Sequence, residues 1–386
     1  MDRRIHFLDQ VRSHMMLLGI VLHAAGSYSN LPAGELWPYK ATEVSLAYSG
    51  LINIIHSFRM QVFFVVAGLF AAMLLSKRGN QGFLVNRTQR VLLPLLVFCG
   101  PIIAVCSYLF AHGAELMAER GTDIVFSDIF RFYHLWFLYY LYCYILAAIP
   151  LHWVLSRLFK EGRMSSFAKW LPWGLGLAVG GVHWLNGSYM LEAPAGLDVF
   201  KFVFFQYFLF FAAGMTAYHL KDAFFDSISS WWKLLLITLG AVVLFIVAAS
   251  MGAANNPDDP NAVVWYGALL LGLYYAFVSW FVLAIYKRLC DHFSRTARYL
   301  SEASYWIYLV HLPFTFLIPM MIDSWPVHHA VKFGFVIIAT FLICLFSYQL
   351  LVRSTPIGWL LNGKRHPFYL PFIWKSAKFK ESEVVG

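Results

Sequence analysis

FLDQVRSHMMLLGIVLHAAGSYSN, residues 7–30, is a long apolar run with Arg12 near its start and His23 near its end. An α-helix has about 3.6 residues per turn, so this spacing brings Arg12 and His23 to nearly the same face, about 16 Å apart along the axis. If Arg12 marks a membrane surface, His23 lies near the middle of a hydrocarbon layer about 30 Å thick. An ionisable side chain at that depth is costly and therefore indicates a functional site.

Two other interpretations of this run stay open. The basic start, the apolar run and the small residues at 24–26 imitate a secretory signal peptide, although the apolar segments downstream favour an uncleaved first helix. His23 taken alone is equally compatible with a histidine that only hydrogen-bonds a neighbouring helix. An imidazole is nevertheless the side chain best suited to proton transfer near neutral pH.

The composition is that of a polytopic membrane protein. The 386 residues are 60% hydrophobic and 18% aromatic, only 13% are charged, and the mean hydropathy is +0.64. Soluble domains normally carry about 25% charged residues. None of the five cysteines forms a CxxC pair, so we expect neither a disulfide framework nor a thiolate metal site.

Ten apolar runs are long enough to cross a membrane, which predicts an all-α helical bundle with about ten transmembrane helices. The fifth run is the weakest because it is rich in glycine. One membrane domain over residues 1–360, followed by a basic cytoplasmic tail over 361–386, accounts for the whole chain. The runs lie at about 11–30, 48–75, 91–113, 133–156, 170–190, 201–219, 232–250, 262–286, 302–322 and 330–352.

The basic residues are distributed very unevenly between the two sides of this bundle. Of the 29 Lys and Arg residues, 23 fall on the side of the N-terminus, and Arg59 lies inside a helix. Cytoplasmic loops carry an excess of Lys and Arg, so both termini are predicted to be cytoplasmic. The net charge of +9 then belongs to one face, where it suits anionic lipid heads or an anionic ligand rather than nucleic acid. The five on the opposite side are Lys40, Arg120, Arg131, Lys201 and Lys332.

Two pairs of basic residues follow in the second run and the loop after it. His56 and Arg59 lie one turn apart, and a charged Arg inside a membrane needs a wet cavity or an anion. A structural ion pair is the alternative, but the helices contain almost no Asp or Glu. Arg87 and Arg90 are also one turn apart and suit phosphate groups. Their alternative is the ordinary excess of positive charge at a cytoplasmic surface.

Two later helices carry polar and aromatic groups. His134 and Trp136 open the fourth run, where an aromatic belt and a sugar-binding surface are equally good interpretations. Ser304, Tyr308 and His311 fall at i, i+4 and i+7, which predicts one polar face lining a cavity. The sequence has no HExxH motif and no clustered carboxylates, so we expect no metal site.

Five motifs, in this order along the chain, resemble the landmarks of the acyltransferase-3 family of membrane O-acyltransferases. The likeness covers nearly the whole chain. The segment 56–64 is also similar to a bacterial inner-membrane branch that is required to succinylate osmoregulated periplasmic glucans. The motifs are Arg12-x10-His23, Phe63-Phe64-x3-Gly68, Arg87-x2-Arg90-x3-Pro94, His134-Leu135-Trp136-Phe137 and Ser304-Tyr305-x2-Tyr308-x2-His311-x-Pro313.

The resemblance implies transfer of an acyl group, most specifically succinyl, from cytoplasmic acyl-CoA to a hydroxyl of a periplasmic glucan or another envelope glycan. Acyl-CoA is the co-substrate, and no bound cofactor is expected. His23 is the expected general base, Arg12 the second catalytic residue, and Arg87 and Arg90 the acyl-CoA-binding residues. The residues expected to bind the acyl group or the acceptor are His56, Arg59, His134, Trp136, Ser304, Tyr308 and His311.

Two other functions remain open. An enzyme of the same family that acetylates another envelope glycan would carry the same motifs. A secondary transporter for an acid or a sugar would also suit ten helices and cations at mid-membrane, although the chain shows no clear internal repeat.

Overall fold

The computed structural model describes residues 5–34, 37–122, 124, 131–159, 165–191, 201–255, 259 and 262–364. Its long helices follow the apolar runs, and short helical turns connect several of them. The helices are α1 His6–Tyr28, α2 Leu46–Arg87, α3 Leu93–Glu119, α4 Trp136–Leu158, α5 Leu171–Asn186, α6 Phe202–His219, α7 Lys221–Ser227, α8 Trp231–Asn255, α9 Trp265–Cys290, α10 Arg295–Ile322, α11 His329–Ser347 and α12 Pro356–Asn362.

The predicted helical membrane fold is confirmed. Each of the ten apolar runs coincides with one long helix, from α1 to α6 and from α8 to α11. Seven segments of the described chain are long and apolar enough to cross a membrane, and one of them, Leu46–Glu119, contains both α2 and α3. The number of crossings and the cytoplasmic position of both termini stay predictions, as does the tail over 361–386, most of which lies outside the described residues.

The connection between α2 and α3 differs from the loop that its polar sequence suggests. The chain stays helical through Arg87 and continues as a π-helical turn over Thr88–Leu92. Only Gly79 departs from helical geometry, with a φ of 64° that a glycine adopts without a steric penalty. Hydropathy alone did not reveal this helical extension, because a helical segment at the end of a bundle does not need an apolar surface on every side.

The glycine-rich α5 packs closely against α9. A Cβ atom on Gly176 would lie 2.8 Å from the Cα of Leu273, and one on Gly180 would lie 2.6 Å from the Cα of Leu269. Small residues let helix backbones approach where lipid supplies no hydrophobic drive for association. The glycines that weaken the sequence prediction for this helix are therefore the residues that allow it to pack.

Contacts between helix ends show how the bundle is arranged. Arg120 after α3, Asp323 after α10 and Lys332 in α11 meet at one end of it. At the other end, the side chain of Gln10 in α1 donates to the carbonyl of Cys290, the last residue of α9, at 2.8 Å. Following the predicted orientation, we name these the outer end and the inner end.

Helix α1 lies inside the bundle, in contact with α2, α9, α10 and α11. Most of its length is buried, including Val11, Met15 and Ala24. A first helix enclosed in this way is an integral part of the fold. Side chains from three neighbouring elements therefore converge on it.

Candidate active site

Four basic side chains meet beside α1. They come from α1 itself, from α2, from α10 and from the turn before α4. The ring centroid of His23 lies 5.2 Å from that of His311, and His311 lies 5.1 Å from His134. Arg59 approaches the same place from α2, where its Nε donates to the carbonyl of Met15 at 2.8 Å. We call His23, Arg59, His134 and His311 the central cluster.

The orientation of His311 follows from its backbone contacts. Its Nδ1 lies 2.7 Å from the carbonyl oxygen of Tyr308 and 3.1 Å from that of Ile307. Both oxygens are acceptors, so Nδ1 carries the proton and Nε2 presents a lone pair. This Nε2 is buried and has no hydrogen-bond partner among the described residues. An unpartnered buried acceptor is costly, and it fits a site that receives a donor group from a ligand.

His134 is fixed in a similar way from the other side. Its Nε2 donates to the carbonyl of Leu309 at 3.0 Å, and its Nδ1 is buried without a partner in the part of the chain described. The hydroxyl of Tyr308 donates to the carbonyl of His134 at 2.6 Å, which ties the start of α4 to α10. Nδ1 of His134 and Nε2 of His311 thus have no described hydrogen-bond partner, while hydrogen bonds hold both rings in place.

Arg59 is a buried cation. Only 7% of the residue is exposed, and it makes no ion pair among the residues that the structure describes. Its hydrogen bond through Nε leaves both terminal nitrogens free for another acceptor. A guanidinium removed from water without a carboxylate is expensive, so this position favours an anionic or strongly polar ligand.

Gly19 marks the point where these groups meet. A Cβ atom there would lie 2.6 Å from Nη2 of Arg59 and 3.2 Å from Nε2 of His311. His23 is one turn further along the same helix, and helical side chains lean back toward the preceding turn. A donor from Arg59 and an acceptor from His311 therefore lie side by side over Gly19, and the His23 ring lies next to that of His311.

The imidazole of His23 is half-buried and makes no hydrogen bond within the described ranges. Its ring is instead parallel to the indole of Trp37, with 7° between the planes and 5.7 Å between the centroids. The predicted position of this histidine inside the protein is thus observed, and a lipid-facing position is not. The sequence pattern does not indicate a role for Trp37, because this residue lies in the connection between α1 and α2.

The structure separates His56 from Arg59, which the sequence pairs. Arg59 is buried, whereas His56 is exposed and makes no hydrogen bond to it. One turn of helix brings the two onto neighbouring faces, but α1 covers only that of Arg59. His56 therefore does not join Arg59 in the central cluster.

Of the two interpretations of the fourth run, an aromatic belt or a sugar-binding surface, the structure does not support the belt for Trp136. Trp136 is only 9% exposed, and its ring stacks on Tyr207 with 5.7 Å between centroids, so it is not part of a lipid-facing belt. It touches neither His134 nor His311 through its ring in the described part of the chain. Ser304 donates to the carbonyl of Ser301 within its own helix.

Arg12, predicted as a catalytic residue, and the predicted acyl-CoA residues Arg87 and Arg90 lie at the inner end and differ from one another. Arg12 is 3.7 Å from Asp9 and 3.4 Å from the hydroxyl of Ser301, and more than a third of its side chain is exposed. Arg87 lies within electrostatic range of Arg12 and makes no ion pair in the described ranges. These two guanidiniums form a positive site, and Arg side chains suit oxyanions such as phosphate.

Arg90 points away from that positive site. Its Nη1 donates to the carbonyls of Trp359 and Leu360, the latter at 3.0 Å. The last carbonyls of a helix have no partner inside the helix, so Arg90 caps α12. Spacing alone does not distinguish this contact from phosphate binding.

No group of three or more His, Cys, Asp or Glu side chains among the described residues has the geometry to hold a metal ion. A free lone pair, a free guanidinium and an unattached imidazole are the groups that bind and deprotonate a polar substrate.

These features belong to a multi-pass membrane acyltransferase. The acyltransferase-3 family, whose model describes an acyltransferase domain, matches residues 5–349, and the chain belongs to this family. Similar proteins from Escherichia coli strains UMN026 and HS are each named Glucans biosynthesis protein C. Each is 27% identical over 398 aligned residues, which cover 94% of this chain and 95% of the relative. No solved structure matches the chain.

Proposed function

We propose that the protein transfers a succinyl group from acyl-CoA to a hydroxyl of a periplasmic glucan, in the bacterial inner membrane. The family supports acyl transfer, and the name of the Escherichia coli relatives supports a glucan acceptor. The observation that carries the chemistry is the convergence of Arg59 and His311 over Gly19, with the His23 ring 5.2 Å from that of His311 between centroids.

His23 is the general base in this proposal. A ring nitrogen takes the proton of the glucan hydroxyl as its oxygen attacks the thioester carbonyl carbon. The C–S bond then breaks, and the proton on His23 passes to the departing CoA sulfur, so an ester and a free thiol result. The lone pair on Nε2 of His311 accepts a hydrogen bond from a neighbouring hydroxyl of the glucan, which holds the attacking oxygen at the carbonyl carbon.

Arg59 selects the acyl group. A succinyl thioester ends in a carboxylate, and Arg59 offers two free terminal nitrogens without a competing acid. A charge-assisted hydrogen bond in a buried setting is about twice as strong as a neutral one. His56, which is exposed one turn before Arg59 in α2, lines the route of the acyl group or the acceptor.

The inner end supports acyl-CoA as the donor. The phosphates of CoA match the positive site formed by Arg12 and Arg87. Arg12 and His23 lie on one continuous helix, and the distance between them along the axis is about 16 Å. The pantetheine arm would follow α1 outward from the phosphates to the thioester.

The test uses purified protein in proteoliposomes with radiolabelled succinyl-CoA and glucan. We expect label in the glucan together with free CoA, and a loss of at least about 10²-fold to 10⁴-fold in His23→Ala with normal insertion. Transfer near the wild-type rate in that variant would remove His23 from the chemistry. A transporter would accumulate its ligand without releasing CoA, and CoA thioesters would not raise its melting temperature.

The same assay distinguishes two routes. If His23 carries the acyl group covalently, labelled protein accumulates when the glucan is omitted. Direct transfer leaves the protein unlabelled. Mass spectrometry of envelope glucans from cells with and without the gene identifies the acyl group and the acceptor.

A further inference from the structure

The segment 37–45, between α1 and α2, folds back over the outer end of α1. The backbone amide of Ala41 donates to the carbonyl of Ser27 at 2.9 Å, and that of Ser45 donates to the carbonyl of Tyr28 at 2.9 Å. The last carbonyls of α1, which a helix leaves unpaired, are satisfied in this way. We call residues 37–45 the outer cap.

Trp37 at the start of the outer cap reaches down to His23. Its Nε1 donates to the hydroxyl of Ser27 at 2.8 Å, and one face of its ring is parallel to His23. Phe316 packs its ring against the indole at 4.7 Å between centroids. A Cβ atom on Gly26 would lie 2.6 Å from the indole, so only glycine allows the ring to lie this close to the helix.

A buried carboxylate anchors the outer cap. Asp323 is 8% exposed, and its Oδ2 accepts from the hydroxyl of Tyr39 and from Nη2 of Arg120, each at 2.9 Å. Its Oδ1 accepts from the backbone amide of Thr42 at 3.1 Å. Charge-assisted hydrogen bonds to a buried acid are among the stronger polar contacts in proteins. Asp323 therefore connects the outer cap to α3 and α10.

Two lysines complete this anchor. Nζ of Lys332 donates to the backbone carbonyl of Asp323 at 2.6 Å. Nζ of Lys40 donates to the carbonyl of Gly26 at 2.6 Å and to the hydroxyl of Ser29 at 3.0 Å. The part of α1 that follows His23 is thus held on the same side as Trp37.

We propose that Asp323 is a positioning residue for His23 and acts through Trp37. The inference rests on the proposed role of His23 as the base. No hydrogen bond among the described residues orients the His23 ring. The orientation of the ring plane, which contains both nitrogens, therefore depends on the flat surface of Trp37. A base is effective only when its nitrogen points at the proton it takes.

The experiment is a double-mutant cycle on purified protein, with kcat and KM measured for acyl-CoA and for glucan. We expect Asp323→Asn to lower kcat about tenfold with little change in KM for acyl-CoA, and Trp37→Ala to lower it further. Trp37→Phe keeps a flat ring and restores most of the rate. In the Trp37→Ala background, Asp323→Asn should have no further effect, because the path to His23 is already broken.

The control is Glu115→Gln, which changes an exposed acid of α3 whose side chain lies 3.6 Å from His112. If Asp323→Asn does not fold, Tyr39→Phe removes one hydrogen bond to the same carboxylate and keeps the ring. Losses of kcat that multiply in the double variant would show that Asp323 acts independently of Trp37 and would overturn the inference. Wild-type transfer by His23→Ala would instead overturn the proposed function.

Discussion

The central cluster and the inner-end arginines use the same kinds of side chain in different ways. At the centre, the backbone holds His134 and His311 by one nitrogen each, and the other nitrogen of each ring is buried with no hydrogen-bond partner among the described residues. At the inner end, Arg12 keeps partial exposure and a long contact to a single acid. Groups that are fixed and desolvated suit chemistry, whereas exposed cations suit recognition of a charged ligand. Variants at the centre should therefore change kcat, and variants at the inner end should change KM.

Apart from the loss of His23 itself, the largest effect is expected from placing a side chain over Gly19. Gly19→Ala places a methyl group 2.6 Å from Nη2 of Arg59 and should lower kcat about 10²-fold, since small displacements of reacting groups are costly. Gly50→Ala in α2 is the matched control, because its Cβ meets nothing within 4 Å. The transfer assay measures both. Equal activity of the two variants would mean that no substrate group enters this space.

A smaller and more selective effect is expected at Arg59. Arg59→Gln removes the charge opposite a succinyl carboxylate, so succinyl transfer should fall about ten- to a hundredfold more than acetyl transfer. Competition between the two labelled donors measures the ratio within one reaction. Equal losses for both donors would place Arg59 on the thioester carbonyl or the acceptor instead.

Arg87 at the end of α2 and Arg90 in the turn that follows should have different roles at the inner end. Arg87→Ala should raise KM for acyl-CoA about tenfold with little change in kcat, because it removes one phosphate contact. Arg90→Ala should lower the melting temperature instead, since it removes the cap from α12. Steady-state kinetics and thermal unfolding of both variants test this division. A shared effect on KM would show that Arg90 leaves α12 to bind the donor.

The smallest effect is a pH dependence at the outer cap. Burial lowers the pKa of Lys40 from 10.5 to about 8. The folded state then binds fewer protons than the unfolded state between these values, so stability should rise as the pH increases from about 8 to 10.5. Below about pH 8 both states are protonated and this dependence disappears. Thermal unfolding across this range should show the rise in wild type and not in Lys40→Met.

Much of this architecture is readable from the sequence, because the membrane restricts what the chain can do. Long apolar runs must be helices, and an ionisable residue within one of them must face a partner. His23 and His311 therefore stand out, and both lie in the central cluster. The glycines that weaken the prediction for α5 are explained only by the position of α9.

Other parts of the site depend on tertiary contacts that spacing does not encode. Trp37 stacks on His23 from a connecting segment, and Asp323 is buried beyond the end of α10. The pair of His56 and Arg59 is divided because α1 covers one face of the helix. Arg90 matches a phosphate-binding pattern and caps a short helix that hydropathy does not reveal.

The most direct test is a sidedness assay in inverted membrane vesicles, with glucan sealed inside and labelled succinyl-CoA outside. The account predicts label on the enclosed glucan for wild type and for His14→Ala, a change in the same helix at a side chain that contacts Tyr286. It predicts almost none for His23→Ala. Labelling of the enclosed glucan at the wild-type rate in His23→Ala would contradict it, as would labelling that requires donor and glucan on the same side.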